Sequence, residues 1–213
     1  MAIRETIRIT PHHLPGVLSV PDSARGLVVF AHGSGSSHAS PRNTRVADGL
    51  NRAGLATLLF DLLTEAEAQD RRNVFDVELL ADRLEAASDV LAEMPAAAGL
   101  AVGCFGASTG AAAALIAAAR RPEIAAVVSR GGRPDMAAGW LAAVRAPTLL
   151  IVGENDTEVL ALNRDALERL TGPKALAVVP GATHLFEEPG AFDRVVDHAR
   201  DWFLRHLAPT HEG

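Results

Sequence analysis

A chain of 213 residues with 48% hydrophobic and 22% charged residues can bury one substantial core and carries too little charge to stay disordered. Its net charge of −6 and the absence of any basic run argue against nucleic acid or acidic membrane surfaces as partners. Cys104 is the only cysteine, so no internal disulfide can form. With no signal-peptide pattern and no apolar run of membrane-spanning length, the expected location is cytoplasmic.

In chain order, Ile3, Thr6, Ile7 and Ile9 mark a first extended segment and residues 14–20 a second. With Pro11, His12 and His13 between them, the two read as an antiparallel hairpin at a sheet edge. Residues 27–31 are a continuous apolar run, expected of a strand covered on both faces, and lead into His32-Gly33-Ser34-Gly35-Ser36-Ser37. A helix is predicted over 43–53, stopped by Gly54, then a strand over 56–60 and a charged loop over 61–73. Residues 74–94 predict a long amphipathic helix with Val77, Leu80, Leu84, Ala87 and Leu91 on one face. A strand over 100–105 passes through Gly106-Ala107-Ser108-Thr109-Gly110 into an alanine-rich helix ending near Arg121. Further strands are expected over 124–128, 148–152 and 176–179, with a loop over 129–135 and helices over 136–144, 159–170 and 189–207. Strands alternating with helices across short loops imply an α/β fold, a doubly wound and mostly parallel sheet in a single domain over 1–213.

Strand, then Gly-x-Ser-x-Gly, then helix is the context of a nucleophile elbow, which lifts Ser108 to the tip of the sheet. A serine hydroxyl needs a base to take its proton near neutral pH, and a histidine needs a carboxylate to fix its tautomer. In such sheets, sites form beyond the carboxyl ends of the strands. Asp156 follows the 148–152 strand and His184 the 176–179 strand, giving the order Ser, acid, His along the chain. Asp156 could instead cap the following helix; Glu154 and Asp135 are the rival acids, and His184 could be one more surface histidine. An acyl-transfer site also needs two donors for the oxyanion, and the N–H groups of Thr109 and Ser34 are the candidates. Gly33 lets the main chain approach a substrate, and His32 reads as a structural hydrogen-bonder beneath it. The same glycine-rich loop could cradle a phosphate, but neither Gly-x-Gly-x-x-Gly nor Gly-Lys-Ser/Thr accompanies it. Scattered histidines and one cysteine offer no ligand-pair spacing, so no metal and no other cofactor is expected, and Cys104 reads as an inert buried thiol.

Over nearly its whole length the chain resembles the α/β-hydrolase superfamily, through the stretches 30–37, 105–111, 129–135 and 180–186. The branch it most resembles is that of small dienelactone-hydrolase-like proteins, including hydrolase domains sometimes fused to phosphoribosyltransferases. True dienelactone hydrolases use a cysteine nucleophile where this chain has Ser108, so the resemblance implies ester hydrolysis rather than dienelactone as the substrate. Where many relatives insert a helical lid, this chain has only residues 129–147; an open site for small esters, thioesters or lactones is expected, in a monomer or homodimer. A thioesterase or small amidase would use the same apparatus, and a non-catalytic scaffold that binds a ligand or partner is the alternative from another class. Arg42, Arg130 and Arg133 fall in loops at the same end of the sheet. They could bind a carboxylate or phosphate of the substrate, or pair with Asp61, Glu65 or Asp135 and hold loops together.

Overall fold

Two wholly buried strands, β3 (Leu27–Ala31) and β4 (Ala56–Phe60), lie at the heart of the sheet because every one of their side chains is apolar or small enough to be covered on either face. The computed structural model describes residues 2–207. They include β1 (Ile3–Ile9), β2 (Leu14–Val20), β5 (Val102–Ala107), β6 (Ile124–Arg130), β7 (Thr148–Gly153) and β8 (Lys174–Val179). The strands form one sheet in the order β1-β2-β4-β3-β5-β6-β7-β8. β1 pairs antiparallel with β2 and β2 antiparallel with β4; every later pairing is parallel. The expected edge hairpin is present, and the outermost strands β1 and β8 carry the exposed residues.

Helices cover both faces. α1 (Pro41–Arg52) and α7 (Ala191–His206) bury Val46, Leu50, Val195 and Phe203 with Phe30, Phe105 and Val128 on one side. On the other, α4 (Val77–Glu93) and α5 (Thr109–Arg120) bury Leu80, Leu84, Leu91 and Ile116 with Leu58 and Val127. Residues 109–118 of α5 are all buried, so their small side chains match the narrow space between sheet and α4. α6 (Thr157–Arg169) follows β7. Among the described residues no helix is long and apolar enough to cross a membrane.

Several expected elements change. The charged loop over 61–73 holds two short helices, α2 (Glu65–Ala68) and α3 (Arg71–Phe75), and α4 begins only after the Asp76 cap. Thr64 and Glu67 form a capping box, and Arg83 of α4 ties α2 down through a 2.8 Å ion pair with Glu67. β6 extends two residues further than expected, carrying Ser129 and Arg130 into the sheet. The expected helix over 136–144 is two single turns of 3₁₀ helix, Pro134–Ala137 and Leu141–Ala143, and no larger lid interrupts the chain before β7.

Candidate active site

β5 and α5 meet at Ser108, whose backbone sits at φ 52°, ψ −120°. For a non-glycine residue this conformation costs roughly 1–3 kcal/mol and persists only where the surroundings enforce it. The enforcing contact is visible on both sides. A Cβ on Gly106 would lie 2.4 Å from Ala111 Cα, and one on Gly110 would lie 2.2 Å from the Ala31 carbonyl oxygen. The Ser108 hydroxyl does not cap α5, although Ser108 stands at the cap position. It is left at the tip of the sheet.

His184 and Asp156 come from neighbouring strand ends. The imidazole Nδ1 lies 2.6 Å from Asp156 Oδ2, with the carboxylate 14% exposed and the imidazole 40% exposed. Asp156 makes no cap hydrogen bond to α6, so its carboxylate serves the imidazole and not the helix. The rival acids are engaged elsewhere: Glu154 accepts from the Gly181 N–H at 2.8 Å, and Asp135 forms a two-pronged pair with Arg133 at 2.7 and 2.8 Å. The Arg133 guanidinium holds the Asp135 carboxyl below the usual carboxylate range.

The loops bearing Asp156 and His184 are laced together. Glu154 N–H donates to Val179 O, Asn155 N–H to Ala182 O, and Asn155 Nδ2 to Gly181 O. Gly153 is required at their crossing, since a Cβ there would lie 2.3 Å from Ala182 O. Glu188, which sequence reasoning overlooked, accepts from both the backbone N–H and the hydroxyl of Thr183, the residue before His184.

One corner of β6 touches both halves of the site. The Ser108 N–H donates to Arg130 O at 3.2 Å, and a Cβ on the next residue, Gly131, would lie 3.3 Å from His184 Cε1. Among the described residues, the Ser108 hydroxyl makes no hydrogen bond to the ring. Such bonds are often long in a substrate-free site and tighten when substrate arrives.

The two candidate oxyanion donors differ. Thr109 opens α5, where its N–H has no acceptor within the helix. The Ser34 N–H already donates to Thr109 Oγ1 at 3.1 Å, so an oxyanion there must displace that hydroxyl. Gly33 packs against the elbow: a Cβ on it would lie 3.1 Å from Ser108 Cβ. His32 fixes this peptide. Its Nε2 accepts from the Leu62 N–H at 3.1 Å, which leaves Nδ1 to donate to Gly33 O at 3.0 Å. Because a trans peptide points C=O and N–H in opposite directions, anchoring the Gly33 carbonyl aims the Ser34 N–H. Burial holds the His32 imidazole below its ordinary value, in the neutral form this arrangement needs.

A model of the dienelactone hydrolase family matches residues 14–205. The chain belongs to the dienelactone hydrolase family. A crystal structure of a dienelactone hydrolase from Anabaena variabilis is 52% identical, with a TM-score of 0.93 and coverage of 97% of this chain and 98% of that one. Est1E from Butyrivibrio proteoclasticus shares the fold at a TM-score of 0.79 and 16% identity, over 95% of this chain and 98% of that one. A Mycobacterium tuberculosis protein provisionally named as a phosphoribosyl transferase is 59% identical over 198 residues, 92% of this chain. Those residues are 45% of the longer protein, so the chain spans about half the length of the curated relatives it matches.

On this dienelactone hydrolase fold a cavity of about 670 Å³ opens beside the loop that carries Gly33 and Ser34. Gly33 and Ser34 form one wall; Leu62, Thr64 and Ala66, from the segment expected to be a charged loop, form another with Val74, expected at the start of the next helix. Ser108 is not among its lining residues, and the cavity reaches the elbow through Gly33.

Of the three arginines at this end, Arg133 pairs with Asp135, as the loop-holding reading expected. Asp61 instead binds His38, at 2.8 Å. Arg42 lies 3.8 Å from Glu187, beyond hydrogen-bonding reach, with both side chains largely exposed. Arg130 is 7% exposed, and among the described residues it has no carboxylate partner. Its Nε is buried without a hydrogen-bond partner, and burial, reinforced by nearby Arg42, pushes the guanidinium down to about 10. It therefore stays charged at neutral pH. No group of three or more His, Cys, Asp or Glu among the described residues is arranged to hold a metal ion.

Proposed function

We propose that this family member is a serine hydrolase that cleaves small carboxylic esters, or the related thioesters and lactones, through an acyl-enzyme on Ser108. The observation that carries the reading is the 2.6 Å contact between His184 Nδ1 and Asp156 Oδ2, set at the strand ends beside a left-handed serine elbow. With Nδ1–H donated to Asp156, Nε2 holds the lone pair that takes the Ser108 proton as the hydroxyl attacks the carbonyl. The imidazolium formed is stabilised by the carboxylate and returns the proton to the leaving oxygen or sulfur. The oxyanion is received by the Thr109 N–H and by the Ser34 N–H, which exchanges the Thr109 hydroxyl for the stronger charged acceptor. Water then repeats the sequence on the acyl-enzyme.

Cys104 is an unsuitable nucleophile: the thiol is fully buried, and burial pushes it up to about 12. The decisive experiment is covalent labelling by a fluorophosphonate combined with turnover of short-chain p-nitrophenyl esters. Wild type should be labelled once and hydrolyse the esters; Ser108→Ala should lose the label and about a million-fold in kcat. Labelling that survives Ser108→Ala, or no turnover of any short ester, thioester or lactone by wild type, would sink the reading.

A further inference from the structure

The site carries a charge that the hydrolytic steps above do not use. Side chains alternate along β6, and Ala126 and Val128 pack in the core formed with α1 and α7. Arg130, two residues on, therefore projects to the same face, at the carboxyl end of the strand, and Arg42, in the first turn of α1, is near enough to act on its charge. Its buried Nε has no partner, and among the described residues its terminal nitrogens make no hydrogen bond or ion pair. A guanidinium more than nine-tenths buried is ordinarily paired, but among the described residues the charged neighbour of Arg130 is a second guanidinium, that of Arg42, which itself lies 3.8 Å from the exposed Glu187. The N-terminus of α1, a twelve-residue helix, adds further positive potential beside them.

We propose that Arg130 and Arg42 form a subsite for a phosphate group borne by the ester substrate, an inference that rests on the serine hydrolase reading above. Sheet order fixes the layout. The cavity lies toward the ends of β2 and β4, Ser108 ends β5, and Arg130 ends β6, so the nucleophile stands between cavity and arginines. A substrate lying across the strand ends would place its uncharged portion in the cavity, its carbonyl over Ser108 and its anionic group against Arg130. Arg130 has no counter-charge and Arg42 only the exposed Glu187 carboxylate at 3.8 Å, so the pair matches a phosphate monoester, which brings two negative charges and three acceptor oxygens. A carboxylate would compensate one charge and leave the other.

The test compares three p-nitrophenyl esters of equal chain length at about pH 8: neutral, ω-carboxylate and ω-phosphate. The ω-phosphate ester should have the highest kcat/KM. Inorganic phosphate should inhibit competitively, and should bind Ser108→Ala in calorimetry. Arg130→Met should reduce the phosphate-to-neutral kcat/KM ratio by about 100-fold, and Arg42→Gln by about ten-fold. Arg42 is partly exposed, so its variant keeps the test valid should the buried substitution fail to fold. Preference for the ω-carboxylate ester over the ω-phosphate ester, or an unchanged ratio in the folded variants, would overturn the proposal. Phosphate binding without turnover of any ester would instead overturn only the hydrolytic reading.

Discussion

On the β7–β8 side of the site, the loops bearing Asp156 and His184 are joined by backbone and side-chain hydrogen bonds and closed by a 2.6 Å contact between the two side chains. On the β3–β5 side, the Ser108 hydroxyl has no bond to the imidazole, and the Ser34 N–H rests on the Thr109 hydroxyl. The His184–Asp156 pair is thus oriented by folding itself. In the proposed mechanism the nucleophile and oxyanion donors are completed only by a substrate, which replaces the resting acceptor of the Ser34 N–H. Pre-organisation matters most for the group whose tautomer decides the direction of proton transfer. A donor that can exchange one oxygen for a more negative one loses little by having a resting partner.

The largest effect expected from breaking the finished side is in Asp156→Asn, which keeps the shape and loses the tautomer: kcat on a short ester should fall about ten thousand-fold. A loss below about ten-fold would mean that another carboxylate orients His184. On the unfinished side, Thr109→Val keeps the volume of the side chain but cannot accept from Ser34. Because the oxyanion then has no competitor, kcat should rise about five-fold, the equivalent of one hydrogen bond of ~1 kcal/mol. A fall in kcat would show that the hydroxyl itself contributes to the transition state.

The smallest effect concerns the His32 anchor that aims the same donor. Its folded value lies below the ordinary 6.5, so between the two values the unfolded chain binds more protons and stability rises with pH. Acidification through 6.5 therefore removes stability until the folded value is passed. The Tm of His32→Gln should fall less than that of wild type between about pH 7.5 and about pH 5.5, by about 2–4 °C. Equal falls would mean that His32 takes up its proton alike in the folded and unfolded chain, or that its hydrogen bonds are not formed in solution.

Much of this site was readable from the chain because each of its three principal residues follows a strand by a few positions. Gly106 and Gly110 bracket Ser108, and Asp156 and His184 fall just past β7 and β8. What escaped notice has physical causes. Helices of four and five residues, such as α2 and α3, are too short to display a period, although Thr64 and Glu67 carried the capping signature. The Ser34–Thr109 bond joins residues 75 positions apart, and no local pattern announces it. The Arg130 burial depends on β6 running two residues past its expected end, and nothing in the 129–135 stretch read as a loop announced that or the missing counter-charge.

The cavity wall contributed by 62–74 has a consequence for how this scaffold diversifies. It hangs between β4 and α4, held down by the Glu67–Arg83 pair, and it supplies neither the serine, the imidazole nor their carboxylate. Exchanging this short stretch would reshape the cavity while leaving Ser108, His184 and Asp156 on the strand ends, so under the proposed mechanism selectivity can evolve in one place and chemistry persist in another.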